Sequence, residues 1–176
     1  NSVTSIGYYA FSECSSLEEI IIPDNVTSIR GYAFEGCSNL KEITIPNSVT
    51  NIGSYAFEGC SNLINIKIDE NNTKYIDDNG VLYTKNKEKI IKYPEGKKDS
   101  SYKILENVTN IEKRAFYECS DLIEIIIPDS VTSIGDSAFR GCSSLTEITI
   151  PDSVTNIEWY VFYECSSLTE ITIPNS

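Results

Sequence analysis

A repeat of 23 residues constrains the fold of this chain more than any other feature of its sequence. Cysteine and phenylalanine recur at that spacing in two blocks of three, with a longer interval between the blocks. The members are Cys14, Cys37, Cys60, Cys119, Cys142 and Cys165, with Phe11, Phe34, Phe57, Phe116, Phe139 and Phe162. A single repeat is too short to enclose a core of its own, so each must bury its apolar side against the next. We therefore expect a stack of coils.

The repeating unit, LEEIIIPDNVTSIRGYAFEGCSN from Leu17, assigns a structure to each of its segments. Ile20 and Ile22 alternate with Ile21, which predicts a short strand with one buried face. Pro23 ends that strand, because proline cannot continue a hydrogen-bonded ladder. The spacing of the Ala-Phe-x-x-Cys segment favours a single helical turn. The unit therefore predicts an α/β repeat of mainly short strands with short helical turns.

The frame L-x-x-I-x-I-P-x-x-V-T-x-I-x-x-x-A-F-x-x-C-S-x resembles the BspA-type leucine-rich repeat family. Residues 1–68 and 102–176 carry the match, and Val161 departs from it where other coils have Ala. The resemblance implies a right-handed leucine-rich repeat solenoid with a parallel sheet on its concave side. The chain would then be a single solenoid fragment over residues 1–176. The resemblance also implies a cell-surface or extracellular location and adhesion to host macromolecules.

One irregular insertion, near residues 69–107, interrupts the repeat. Two apolar runs, residues 81–83 and 90–93, flank a polar stretch, which predicts a β-hairpin within residues 69–101. If this hairpin projects from the stack, Tyr83 and Tyr93 are available for binding. The alternative is that the tyrosines of the insertion cover one another.

The outward positions of the predicted strands form a candidate binding surface. One column of equivalent positions is acidic except for Asn65, and a second column contains Lys67. The candidates are Glu19, Glu42, Lys67, Glu124, Glu147 and Glu170, with Tyr83 and Tyr93 from the insertion. Like charges on neighbouring strands repel, so this face is either hydrated and screened by salt or a docking surface for a basic partner. A flat row of carboxylates lacks the converging oxygens that Ca²⁺ prefers, so calcium is the weaker alternative.

Chemistry at a metal or catalytic centre finds little support in the sequence. Histidine is absent, and a linear column of cysteines offers no tetrahedral pocket. Stacked Cβ vectors run parallel, so we expect free buried thiols, although the strand spacing of about 4.8 Å does not exclude disulfides. No phosphate-binding loop or nucleophile–base motif occurs. We therefore expect no metal, no cofactor and no enzymatic activity.

Net charge and hydropathy limit the classes of partner that this chain can bind. The formal net charge of -12 disfavours binding to nucleic acid. The sequence contains no run of about 20 apolar residues, so we expect no direct membrane insertion. We expect a protein-recognition and adhesion module; the family resemblance makes a host extracellular-matrix or surface protein the expected ligand. The alternative is a spacer array that presents another domain and binds nothing itself. Residues 1–4 and 174–176 cut the repeat at the same place, which predicts end-to-end self-association.

Overall fold

Short strands repeat through the protein, whose structure is a computed structural model that describes residues 2–173. The strand Glu42–Ile45 shows why they are short and which face they bury. Ile43 and Ile45 are buried, the intervening Thr44 is exposed, and Pro46 follows the last residue. Proline offers no amide proton to a neighbouring strand, so the ladder stops there. Alternation and strand length both agree with the sequence-based expectation.

The protein divides into two compact units. Unit 1 contains the residues up to Asn86 together with Pro94–Gly96. Its strands are β1 Ser5–Ile6, β2 Ser28–Ile29, β3 Glu42–Ile45, β4 Asn51–Ile52, β5 Asn65–Ile68, β6 Tyr75–Asp78 and β7 Val81–Thr84. One parallel ladder joins β1, β2 and β4, and a second joins β3 and β5. The two ladders correspond to the two halves of the repeating unit.

Unit 2 contains Lys87–Tyr93 and the residues from Lys97 onwards. Its strands are β8 Lys89–Lys92, β9 Ser101–Lys103, β10 Asn110–Ile111, β11 Glu124–Ile126, β12 Ser133–Ile134, β13 Glu147–Thr149 and β14 Glu170–Thr172. Again there are two parallel ladders, one of β8, β10 and β12, the other of β9, β11, β13 and β14. Each unit is therefore a stack of coils. The single continuous solenoid over residues 1–176 stays a prediction, and residues 1 and 174–176 lie outside the described range.

Equivalent side chains meet their own kind in both units. Phe34 stacks on Phe11 and Phe57 with ring centroids 5.3 and 5.8 Å apart, and Phe139 stacks on Phe116 and Phe162 at 5.3 and 5.7 Å. Phe34, Phe116 and Phe139 have no solvent exposure. Burial of each such side chain stabilises the fold by roughly 1.5–3 kcal/mol before conformational entropy is subtracted.

The Ala-Phe-x-x-Cys segment forms consecutive turns, where the sequence predicts a helical turn. Tyr32 has φ 58° and Gly36 has φ 69°, and a left-handed residue cannot continue a right-handed helix. Successive backbone amides of this segment donate alternately to a carbonyl of the same coil and to a carbonyl of the next coil. That of Glu35 donates within the coil to Tyr32, whereas those of Phe34 and Gly36 donate to carbonyls of the next coil, at 2.9 and 2.8 Å. The predicted helical turn was wrong because these donors bond between coils.

No residue in the range 2–173 is helical. Across that same range, no helix long and apolar enough to cross a membrane was found.

The insertion contributes to both units. In unit 1, β6 and β7 form an antiparallel hairpin. Asn79 and Gly80 join them with φ 50° and 81°, the positive values of a type I′ turn. In unit 2, β8 lies parallel to β10, in the place of a regular coil. The predicted pairing of residues 81–83 with 90–93 involves both units and stays a prediction.

Two polar side chains of unit 1, those of Asn72 and Tyr75, bond backbone groups at the end of the coil that contains β4. Asn72 is fully buried; its amide nitrogen donates to the carbonyls of Pro46 and Val49, and its amide oxygen accepts from two backbone amides. The phenol oxygen of Tyr75 accepts the amide proton of Ile52 at 2.9 Å, at the edge of β4. These contacts satisfy backbone groups that the next regular strand would otherwise have bonded.

Candidate functional site

The outward face of the β9–β11–β13–β14 ladder holds the longest acidic column. Parallel pairing places Glu124 opposite Glu147, and Glu147 opposite Glu170. All three are exposed, as is Ser101, which precedes them in the column on β9. Adjacent strands in a sheet lie about 4.8 Å apart, so neighbouring positions of the column share that spacing. Three of the predicted site residues are therefore brought together as expected.

A second column runs beside the glutamates on the same face. Because side chains two residues apart on a strand share a face, Ile126 accompanies Glu124 and Thr149 accompanies Glu147. The side chain of Ile126 is exposed by 44%. A single exposed aliphatic side chain is ordinary on a protein surface, but this one lies directly beside the charged column. The face of unit 2 is thus both acidic and apolar.

No ion pair or side-chain hydrogen bond involves Glu124, Glu147 or Glu170 within residues 2–173. Other charged residues of unit 2 do pair from one coil to the next. Lys89 bonds Glu112 at 3.0 Å, and Lys98 bonds Asp121 at 2.9 Å. The glutamate column is therefore a set of carboxylates that repel one another and form no ion pair among residues 2–173. Lys103, diagonal to Glu124 on β9, pairs with Glu106 instead.

In unit 1 the equivalent face is partly neutralised. Lys67 lies 2.7 Å from a carboxylate oxygen of Glu42, and the Asn65 side chain donates to the other oxygen at 3.2 Å. The hydrogen bond from Lys67 lowers the pKa of Glu42. Glu19 is exposed in the preceding coil, beside Ile21, which is 83% exposed. Lys67 thus pairs with Glu42, which belongs to the same predicted binding surface, and its contact with a partner stays a prediction.

Tyr83 and Tyr93 do not contribute to any surface, because both side chains are fully buried. That part of the predicted site is wrong. Tyr83 pairs across the hairpin with Ile76, and Tyr93 occupies the phenylalanine position of its coil, 5.4 Å from the ring of Phe116. The Tyr93 hydroxyl donates to Asp99 at 2.6 Å. Burial is the main reason that the pKa of Tyr93 lies far above its ordinary range, and the hydrogen bond to Asp99 raises it further.

The six cysteines are free. Beyond the first, each thiol donates to a carbonyl of the preceding coil, as Cys37 does to Phe11 and Cys60 to Phe34, both at 3.1 Å. Burial raises the pKa of Cys37 to about 11, and it does the same for Cys165. The thiols thus act as buried hydrogen-bond donors between coils. Within residues 2–173 no group of three or more acidic or cysteine side chains is placed to hold a metal ion.

Two aromatic features of the surface were not predicted from the sequence. On unit 1, Tyr9, Tyr32 and Tyr55 form a ladder with ring centroids 4.8 and 5.0 Å apart. On unit 2, the guanidinium of Arg140 lies over the rings of Tyr117 and Tyr163, at 5.7 and 4.9 Å. Both sets follow from the 23-residue spacing applied to the outward turn positions, a signal that the sequence does contain.

Comparison with known proteins gives a consistent picture. A family profile described as "BspA type Leucine rich repeat region" matches residues 1–97 and 95–176, in six copies. No curated protein shows significant sequence similarity to the chain.

Several solved structures resemble the chain. A leucine-rich cell surface protein from Faecalibacterium prausnitzii has 32% identity and a TM-score of 0.78, with 99% of this chain and 58% of that one covered. A leucine-rich repeat protein from Bacteroides ovatus has 34% identity and a TM-score of 0.63, with 98% and 41% covered. The pneumococcal vaccine antigen PcpA, at 22% identity, shares the fold, with a TM-score of 0.69 and 97% and 54% covered. The chain thus spans about half the length of these proteins.

Proposed function

Because this chain belongs to the BspA-type leucine-rich repeat family, we propose that it is a non-enzymatic module that recognises a protein partner through the outward sheet face of unit 2. Leucine-rich repeat proteins generally serve protein–protein interaction. The observation that carries the proposal is the column of Glu124, Glu147 and Glu170, which forms no ion pair among residues 2–173 and lies beside the exposed Ile126. Such a face gains most from a partner that is basic and partly apolar.

The proposed setting is the cell surface, with host extracellular-matrix or surface proteins as ligands. The F. prausnitzii protein, at 32% identity, is described as a cell surface protein, which supports this location. Absence of histidine from the sequence is consistent with a role in binding, because the commonest general base is missing.

A spacer array is the second candidate, and unit 1 favours it. There the glutamate at the equivalent position is already paired with Lys67, so the face offers less unbalanced charge to a partner. A spacer requires only that the coils stack, and it predicts no saturable binding by the isolated chain.

Surface plasmon resonance against purified extracellular-matrix proteins tests the proposal. The wild-type chain should bind at least one of them saturably, and Glu147→Lys should weaken that binding. Glu158→Lys is the matched control, because it makes the same change in net charge at an exposed position outside the β9–β11–β13–β14 ladder. Equal loss in the two variants would contradict the assignment of binding to this face, and no saturable binding by the wild type would favour the spacer.

A further inference from the structure

The spacing of the unit 2 face selects the shape of its partner. We infer that the face binds a basic amphipathic α-helix that lies across the strands, an inference that rests on the proposed function. The carboxylates of Glu124, Glu147 and Glu170 occupy successive strands, so they span about 9.6 Å in two steps of about 4.8 Å. The partner must offer cations at matching intervals.

An α-helix meets that requirement. It rises about 1.5 Å per residue, so side chains at i, i+3 and i+7 on one stripe lie at about 0, 4.5 and 10.5 Å along its axis. Each of these positions falls within about 1 Å of a glutamate of the column. Lysine or arginine at the three positions would therefore face all three carboxylates at once.

Extended partners fit less well. A β-strand places side chains on one face about every 6.7 Å, so its third cation would lie roughly 4 Å beyond Glu170. A polyproline helix repeats on one side about every 9.3 Å and would reach only the first and third carboxylates. The periodicity of the face thus discriminates among the three regular conformations of a partner.

The second column defines the other side of the helix. Ile126 is 44% exposed, and Thr149 and Thr172 are exposed beside it on β13 and β14. Ile126 and the methyl groups of the two threonines suit an apolar stripe next to the basic one, which makes the partner amphipathic. Lys103 is in register with Ile126 on β9 and would repel a cation there. The site therefore extends over β11, β13 and β14.

Unit 1 offers no comparable row. Its column contains Glu19, Glu42 and Asn65, and Lys67 already occupies one oxygen of Glu42. The face of unit 1 thus supplies fewer available charges, which makes it an internal comparison for the face of unit 2.

A charge-swap experiment with synthetic helices tests the inference. The probe is a lactam-bridged, fluorescein-labelled helix of about 20 residues, with Lys at i, i+3 and i+7 and Leu on the adjacent stripe; the bridge is needed because short helices are marginal in water. The second helix is identical except for Glu at i+3. A third peptide has the same composition but carries Lys at i, i+2 and i+4 and no bridge. Binding of the full chain is followed by fluorescence anisotropy.

The wild-type chain should prefer the all-Lys helix to both other peptides. Glu147→Gln should weaken that binding roughly three- to fivefold, the usual effect of one exposed ion pair. Glu147→Lys should reverse the preference and bind the Glu-containing helix better. Glu158→Lys should alter neither preference.

Two results would overturn the inference. One is equal binding of the all-Lys helix and of the unbridged third peptide, whose lysine spacing suits an extended chain. The other is a loss of affinity in Glu147→Lys that the Glu-containing helix does not restore. If a matrix protein still binds and Glu147→Lys abolishes that binding, only the helical geometry fails. If Glu147→Lys affects neither peptide nor matrix protein, the proposed function fails as well.

Discussion

Unit 1 and unit 2 repeat one template but satisfy its outward polar positions differently. In unit 1 the glutamate on β3 is bonded by a lysine and an asparagine on the next strand. In unit 2 the same position carries three glutamates in succession without such a partner among residues 2–173. The inward positions of both units are nevertheless alike, with stacked phenylalanines and buried cysteines. Residues that hold the coils together are therefore separable from residues that can change with the partner.

Truncation of the phenylalanine column should have the largest effect and should be equal in the two units. Phe34→Ala and Phe139→Ala each remove a fully buried ring that has a stacked neighbour on both sides, so each should lower the free energy of unfolding by about 3–5 kcal/mol. Urea denaturation followed by circular dichroism measures the loss. A difference of more than about 2 kcal/mol between the variants would show that the columns are not equivalent.

Asn72 donates to the carbonyl of Val49 as Ser48 does to that of Val26 in a regular coil, and it makes three further bonds to the backbone. Its loss tests how unit 1 ends its ladder. Asn72→Ala leaves the carbonyl of Val49 and two backbone amides without this partner, whereas the carbonyl of Pro46 keeps the amide of Val49, so we expect a loss of about 2–4 kcal/mol. The control is Asn71→Ala at the exposed neighbouring position, where the change should stay within about 0.5 kcal/mol. Thermal unfolding of both variants provides the measurement, and equal midpoints would contradict the assigned role.

Alkaline pH should weaken both units through their thiols. Burial raises the pKa of Cys37 and of Cys165 from 9.0 to about 11, so the folded state retains protons that the unfolded chain has released. Their contribution to stability is complete below about pH 9 and is lost as the pH rises towards about 11. Urea midpoints measured across that window should fall more steeply for the wild type than for Cys37→Ala. Parallel curves would argue against a shifted thiol in unit 1.

The smallest effect on stability should come from Lys67→Ala, which makes the face of unit 1 more like that of unit 2. The Lys67–Glu42 pair is largely exposed, so its loss should cost about 0.5 kcal/mol or less. Lys67 lowers the pKa of Glu42, so this contribution exists above the ordinary pKa of 4.5 and disappears as the pH falls through the lowered value. NMR titration of the Glu42 side chain should show a higher pKa in the variant. An unchanged value would remove Lys67 as its cause.

The stack itself could be read from the sequence because one template fixes many positions at once. Ile21 was predicted to face outward and Ile22 inward, and they are 83% and 6% exposed. That inference needed only the alternation of a strand and the proline that ends it. Free thiols were likewise expected from the parallel direction of stacked side chains, and the bonds of Cys37 and Cys60 to carbonyls now explain why cysteine occurs there.

The insertion was harder, for identifiable reasons. The Asn79-Gly80 turn was available as a strong hairpin signal, and it places β7 against β6, where Tyr83 is buried. Tyr93 lies 23 residues before Phe116, so the same period could have placed it in the core. The left-handed conformation at Tyr32 had no such signal, because a tyrosine rarely adopts a positive φ. The availability of Glu124 and its neighbours depends on which lysines reach across strands, and that is decided by side-chain geometry.

The alternating amide bonds of the Ala-Phe-x-x-Cys turns have an evolutionary consequence. In these turns alternate amides of a coil donate to the following coil, as the amide of Phe34 does to the carbonyl of Ala56. Duplication or deletion of one whole 23-residue unit within a regular block therefore recreates the same junction it interrupts, and no backbone group loses its partner. Recombination between these near-identical segments can lengthen or shorten such an array in whole coils, so that the number of repeats varies among descendants while each coil keeps its shape.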